Sequence, residues 1–150
     1  MRKVLAVCSG GGHLVEMRRI MPAFVGCDVA YACTDCQADA DLAAHRYYPI
    51  RDVSRRDRLA GFAVLFWQLT AILRKERPEV VVTTGSAPGL IALALAKVLH
   101  RSRTVWIDCS SQAEQMSLSG KLACPVADAW LTQWEHLARP RGPEYWGSIL

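Results

Sequence analysis

No apolar run among the 150 residues is long enough to cross a bilayer, so no membrane-spanning helix is expected. The Gly-x-Gly-x-x-Gly spacing of dinucleotide-binding folds is missing, together with its acidic ribose partner, and so is the Gly-Lys-Ser/Thr ending of a P-loop. A stand-alone Rossmann reductase is therefore disfavoured. There is no internal repeat, low-complexity segment or linker, which leaves residues 1–150 as one domain. A second cysteine pair at zinc spacing is also missing. Cys33-Thr34-Asp35-Cys36 stands by itself, and Cys8, Cys27, Cys33, Cys36, Cys109 and Cys124 read as buried or incidental reduced thiols rather than a metal site or redox pair. The charge excess is small, 18 basic against 14 acidic residues for a net +4. That bias suits an anionic membrane surface or a phosphate-bearing ligand and does not argue for nucleic acid. The start, Met1-Arg2-Lys3, leads into a short apolar run that glycines stop, so it reads as a first strand and not a signal peptide.

What is present is an ordinary globular composition, 51% hydrophobic and 21% charged. Strand and helix signals alternate. Lys3 to Cys8 is a compact apolar run of the kind buried on both faces of a sheet. His13 to Met21 has helical spacing, Cys27 to Cys33 reads as a strand, Asp39 to Ala44 as a short helix and Arg46 to Ile50 as a third strand. Leu59 to Leu73 is a strong helix, and Glu79 to Thr84 is a β-branched strand. A turn at Gly85 to Gly89 precedes an apolar helix from Leu90 to Leu99, then strands at Thr104 to Cys109 and Asp128 to Thr132. This order predicts an α/β fold, a doubly wound parallel sheet of Rossmann type.

Two glycine-rich turns follow strands and so fall on the same, ligand-binding edge of such a sheet. In Ser9-Gly10-Gly11-Gly12-His13 the backbone can approach an anion, the next helix presents free N–H groups, and His13 can act as a base or a donor. The same run also suits a tight turn with a helix-capping histidine. In Gly85-Ser86-Ala87-Pro88-Gly89, Ser86 and the Gly89 N–H are candidate donors, or Pro88 simply starts a helix. Asp108 closes a strand on that edge, where it can serve as a base, orient His13 or cap the next turn. Glu114, in the polar stretch beyond it, is expected to join the acceptor- and phosphate-binding set.

In the 59–73 helix, Leu59, Phe62, Leu65, Phe66, Leu69, Ile72 and Leu73 are expected to face the core, while Val64, Trp67 and Ala71 widen the apolar surface. Arg55, Arg56 and Arg58 precede it and Arg74 and Lys75 follow. An apolar patch rimmed by cations is the pattern of interfacial membrane binding, with Phe62, Phe66 and Trp67 at the headgroups. A wide core helix with a solvated rim is the alternative. Near the end, Trp134, Tyr145, Trp146, Ile149 and Leu150 suggest a protein-binding surface, or a tail folded back on its own domain.

Taken in order, Ser9 to His13, Ser117-Leu118-Ser119-Gly120-Lys121-Leu122, Ala127 to Leu137 and Tyr145 to Leu150 resemble the "Alg fourteen" family of asparagine-linked glycosylation and its bacterial exopolysaccharide relatives such as PssD. The resemblance covers essentially the whole chain. It implies the N-terminal half of a GT-B glycosyltransferase, related in plan to MurG, with a separate partner chain binding most of the UDP-sugar. Such a pair moves a sugar, most often N-acetylglucosamine, onto a lipid-diphosphate-linked saccharide with inversion, requiring no metal and no cofactor. Carried over, Ser9, Gly10, Gly11, Gly12 and His13 would meet the acceptor diphosphate, and Gly85, Ser86, Pro88 and Gly89 would line the cleft. Asp108 stands where eukaryotic members have Glu, and Gln112 where they often have Arg. Those members also carry an N-terminal membrane helix, so here peripheral attachment to the cytoplasmic face is expected from the 59–73 region or from the partner. The opposing possibility is a regulatory nucleotide-binding module without transfer activity.

Overall fold

The computed structural model describes residues 1–34, 45–53 and 59–149. Seven strands form one parallel sheet: β1 (Lys3–Cys8), β2 (Asp28–Cys33), β3 (Arg46–Pro49), β4 (Val80–Thr83), β5 (Arg103–Ile107), β6 (Ala129–Thr132) and β7 (Glu144–Tyr145). Their spatial order is β3-β2-β1-β4-β5-β6-β7, and every pairing is parallel. Among the described residues the α-helices are α1 (Gly12–Ile20), α2 (Leu59–Glu76), α3 (Ser86–His100) and α4 (Leu118–Ala123). The expected doubly wound α/β fold is what forms.

Alternation along β1 explains the layering. Leu5 and Val7 point to one face, Val4, Ala6 and Cys8 to the other. The first face packs α2 through Leu65, Leu69, Ile72 and Leu73, and α3 through Ala92, Leu93 and Ala96, with the fully buried Trp106. The second packs α1 through Leu14 and Met17, with Val29, Tyr31 and Val82. Burial first, then the charge of Cys8, pushes the Tyr31 phenol up to about 12. None of the described cysteines is in a disulfide.

The chain leaves β1 toward β2 and leaves β4 toward β5, so the winding reverses between β1 and β4. That is the topological switch point, where the loops diverge and a crevice opens.

Several expected boundaries shift. The second turn is shorter than expected: α3 begins at Ser86, so Pro88 and Gly89 sit in its first turn, where proline's missing N–H costs nothing. α2 runs on to Glu76 because a hydrogen bond from Arg77 N to Leu73 O closes its last turn before Pro78. The Glu79–Thr84 strand is trimmed at both ends to β4, and the Thr104–Cys109 strand shifts to start at Arg103 and end at Ile107 as β5. Among the described residues, α4, the edge strand β7 and two 3-10 turns at Met21–Phe24 and Glu135–Leu137 were not expected, all too short to show a period. Leu59 and Phe66, expected in the core, are 89% and 44% exposed, since the 3.6-residue period turns them onto the flank of α2. The expected helix at Asp39 to Ala44 lies outside the described residues, as do Cys36, Arg55, Arg56, Arg58 and Leu150.

A charged cluster at the strand starts serves stability. Glu76 is buried, accepts from Arg46 Nε and Nη2 at 3.1 and 2.9 Å, and is bonded by the Tyr48 hydroxyl. Burial pushes its carboxyl up, but the hydrogen bonds from Arg46 and Tyr48 outweigh this and hold it below the usual range. The cluster is remote from the switch point.

Candidate functional site at the sheet switch point

β1 ends at Cys8, and the chain turns through Ser9, Gly10 and Gly11 into α1. Gly10 N donates to Thr34 Oγ1 at 2.9 Å, which pins the turn to the end of β2. Gly11 has φ +68°, which a glycine adopts without strain. Gly12 has an ordinary backbone, and a Cβ there would touch nothing within 4 Å. No steric demand within the described residues explains Gly12. The bare backbone faces open space instead, as an approaching ligand would require. No side chain caps the N-terminus of α1, and none caps that of α3 at Gly85. Two uncapped helix starts therefore converge at the switch point with their positive dipole ends and N–H groups outward.

His13 joins the two turns. Its Nδ1 lies 2.8 Å from the Thr84 carbonyl, and Thr84 Oγ1 donates to the His13 carbonyl at 2.7 Å. A carbonyl only accepts, so Nδ1 carries the proton and the lone pair of the neutral ring sits on Nε2. The ring rests on Gly85, whose φ is +124°; a Cβ there would come within 2.8 Å of His13 Cε1. Glycine at position 85 is thus required twice, by conformation and by the imidazole above it.

Two adjoining cavities open around His13. One of about 450 Å³ is lined by Gly12, His13, Val15, Glu16, Arg19, Cys109, Ser110 and Ser111. The other, of about 290 Å³, is lined by His13, Ser86, Cys109, Ser111, Gln112 and Ser117 to Ser119. Ser86 adopts φ +74°, and its Oγ is shielded with no hydrogen-bond partner among the described residues. A hydroxyl held there in a left-handed conformation is a donor awaiting an acceptor.

Of the parts open to Asp108, neither of the two at His13 is the one it takes. It is 2% exposed and lines neither cavity. Its Oδ1 accepts from Trp106 Nε1 at 3.1 Å and Ser117 Oγ at 2.6 Å, and its Oδ2 from Ser117 N at 2.8 Å. Committed to these donors, it is not a free base, and it does not orient His13, which Thr84 holds. It ties down the loop from Cys109 to Ser117 that forms the cavity wall. Gly120 is small for the same reason: a Cβ would come within 2.6 Å of Asp108 Oδ1. Gly89 likewise packs rather than lines. A Cβ there would sit 2.0 Å from Thr83 Oγ1, so α3 lies directly on β4, and Pro88 is buried with it. Glu114 is exposed and lines neither cavity.

Glu16 is a residue that sequence reading missed. One turn after His13 on α1, it is 5% exposed. Its Oε1 accepts from Ser110 N at 2.9 Å, while Oε2 is shielded and without a hydrogen-bond partner among the described residues. The i, i+3 spacing from His13 was the available signal. Only the fold shows that this face of α1 meets the loop after β5.

The C-terminal aromatics connect to this loop. Trp134 Nε1 donates to Ser110 O at 2.8 Å. Buried Gln133 donates from Nε2 to Asp108 O at 2.9 Å and accepts from Ile149 N at 3.0 Å. Arg19 Nη1 donates to Ile149 O at 3.0 Å. The tail therefore folds back at Ile149, while Tyr145 and Trp146 stay exposed, Trp146 at 68%.

On α2, Ala60, Ala63, Val64, Trp67 and Ala71 form an exposed apolar stripe that leads to Arg74, with Trp67 at 66% exposure. Phe62 packs on the core instead, and Lys75 Nζ stands 5.1 Å over the Tyr48 ring. No helix among the described residues is long and apolar enough to cross a membrane.

The family model described as "Oligosaccharide biosynthesis protein Alg14 like" matches residues 37–149. The chain belongs to the Alg14-like family. Among curated relatives, UDP-N-acetylglucosamine transferase subunit ALG14 of Eremothecium gossypii is 30% identical over 181 residues, covering 99% of this chain and 80% of that protein. The Yarrowia lipolytica subunit of the same name is 31% identical over 96 residues, covering 59% of this chain and 44% of that one. The fold of this Alg14-like chain is shared with Acinetobacter baumannii MurG, at TM-score 0.67 and 14% identity, covering 99% of this chain and 45% of MurG. It is shared also with a Rickettsia bellii UDP-N-acetylglucosamine 2-epimerase, at TM-score 0.66 and 14% identity, covering 91% and 40%. The matched chain thus spans less than half of either solved structure.

Proposed function

We propose that this chain is the acceptor-side subunit of a heteromeric, inverting glycosyltransferase. It acts with a partner that carries the other GT-B half and most of the UDP-sugar site. The donor sugar is N-acetylglucosamine, the sugar printed in the names of its ALG14 relatives. The acceptor is a saccharide on a lipid diphosphate, in oligosaccharide or exopolysaccharide assembly.

The observation that carries this reading is the His13–Thr84–Gly85 clasp. It gathers two uncapped helix starts, the bare Gly11-Gly12 backbone, Ser86 Oγ and a lone-pair nitrogen into one crevice. Helix starts and glycine backbone suit the diphosphate. The lone pair on His13 Nε2 suits the acceptor hydroxyl: it takes the hydroxyl proton while that oxygen bonds to the anomeric carbon, and the bond from that carbon to UDP breaks on the opposite face. The partner retains the UDP. Ser9, Gly10 and Gly85 shape the turns, and Asp108 positions the loop. The α2 stripe with Arg74 and Lys75 lies on the membrane surface, which keeps the lipid acceptor close. Tyr145 and Trp146 contact the partner.

Activity of the reconstituted pair tests this. Replacing His13 by Ala should lower transfer by at least about a hundredfold, as expected for loss of a general base, with partner binding unchanged. Transfer at the parent rate in that variant would remove His13 from the chemistry. Tight UDP-sugar binding by this chain alone would instead favour a nucleotide-binding module.

A further inference from the structure

We propose that His13, Glu16 and Cys109 form a binding site for a divalent transition-metal ion of the zinc class. One ring nitrogen of His13, one carboxylate oxygen of Glu16 and the Cys109 sulfur all lie within 4.8 Å of one another. α1 places the first two a turn apart on one face, and the chain leaving β5 brings in the third. A metal is not part of what the family resemblance implies; the three side chains themselves carry the inference.

Each ligand is prepared in a way that packing alone does not require. His13 Nδ1–H donates to the Thr84 carbonyl, leaving Nε2 with its lone pair. A carbonyl or carboxylate on the distal nitrogen is the usual outer partner of a metal-bound histidine. Glu16 is 5% exposed, and its Oε2 is shielded with no hydrogen-bond partner among the described residues. A buried carboxylate oxygen in that state is costly unless something positive meets it. Its Oε1 is fixed by Ser110 N at 2.9 Å. The Cys109 thiol points at Glu16 Oε1 from 3.6 Å, and Ser111 Oγ donates to the sulfur at 3.2 Å.

A mixed nitrogen, oxygen and sulfur set selects zinc or cobalt over magnesium or calcium, which prefer oxygen alone. Tetrahedral bonds of about 2.0–2.3 Å place ligand atoms about 3.3–3.8 Å apart. Cys109 Sγ already has that separation from Glu16 Oε1, which Ser110 N also holds, and a side-chain rotation of about an ångström brings the unpartnered Oε2 of the same carboxylate and the His13 nitrogen to it. On binding, the metal forms a bond to sulfur, and the thiol proton passes to solvent. Thiolate and carboxylate then balance the dication. Three protein ligands leave a fourth position, facing the cavity of about 450 Å³ that Gly12 and Arg19 also line. Water or an anionic oxygen fits there. Because the metal takes His13 Nε2, occupancy and proton removal by His13 exclude each other, so the site would act as an inhibitory one.

Cobalt(II) alone, titrated into the purified, tag-free chain and followed by visible absorption, tests the site without any sugar transfer. The expected result is one equivalent bound, with tetrahedral bands and a thiolate-to-metal charge-transfer band. Cys109→Ser should abolish the charge-transfer band, and Glu16→Gln should weaken binding by about tenfold or more, each with unchanged far-UV circular dichroism. If Glu16→Gln fails to fold, Cys109→Ser decides. Absence of the bands in the parent, or a charge-transfer band that survives Cys109→Ser, would overturn the proposal. Neither result bears on the transferase reading, which rests on activity with the partner.

Discussion

At the scale of single residues, the two glycines at the start of α3 make opposite predictions. Gly89→Ala puts a Cβ 2.0 Å from Thr83 Oγ1 in a packed helix–strand contact. It should cost about 3 kcal/mol of stability, as overpacking does, measured by urea unfolding. Gly85→Ala meets the edge of the His13 ring at 2.8 Å in a conformation alanine resists. It should disable transfer as thoroughly as His13→Ala, with a smaller change in stability than Gly89→Ala. Kinetics and unfolding curves of the two variants side by side check both. His13 was legible because a histidine after three glycines stands out in any sequence. Asp108 was legible as a strand-end carboxylate, but its duty was not, because its partners Trp106 and Ser117 gather around it only in the fold. Glu16 looked like any helical surface glutamate. Its burial depends on Ser110, 94 residues away in sequence.

At the scale of elements, the long periodic segments were readable and the short ones were not. β1, α2 and α3 bury whole faces, so their patterns carry over to structure. α4 is set by one cap, in which Ser117 Oγ accepts from Gly120 N at 2.8 Å, and β7 by two residues of pairing. The apolar excess of α2 was visible, but which residues form the exposed stripe depends on where the sheet lies beneath. Trp67→Glu should reduce binding to anionic vesicles in a sedimentation assay at unchanged stability, since Trp67 faces away from the core. Unchanged binding would return α2 to an ordinary solvated flank. The tail is joined to the cavity wall by Gln133. Gln133→Leu leaves a buried Asp108 carbonyl and the Ile149 N–H without their partner. We expect about 1–3 kcal/mol of destabilisation and faster proteolysis after Tyr145.

At the scale of the whole molecule, two carboxylates held below the usual range, Glu76 and Asp128, shape the acid limb of stability, and Glu76 is the buried one. Its carboxyl is held below the usual range in the fold by Arg46 and Tyr48, against the opposing pull of burial. It therefore contributes stability above its unfolded value of about 4.3, and that contribution is lost as pH falls through the lower folded value. Glu76→Gln should be less stable than the parent at neutral pH by about 2 kcal/mol, and the gap should narrow below about pH 4. Thermal unfolding from pH 3 to 7 measures it. The strand order, with its reversal between β1 and β4, is what turns two ordinary glycine turns into one crevice, and local sequence shows the turns but not their meeting.

If this crevice holds the acceptor while a second chain holds the donor, neither chain transfers the sugar by itself. The direct measurement is transfer of N-acetylglucosamine from radiolabelled UDP-N-acetylglucosamine to a lipid-diphosphate-linked acceptor in membranes. It is run with this chain alone, with a partner carrying the complementary GT-B half alone, and with both. Transfer is expected only from the pair, abolished by His13→Ala at intact assembly. Transfer by this chain alone, or by the partner alone at the rate of the pair, would contradict it.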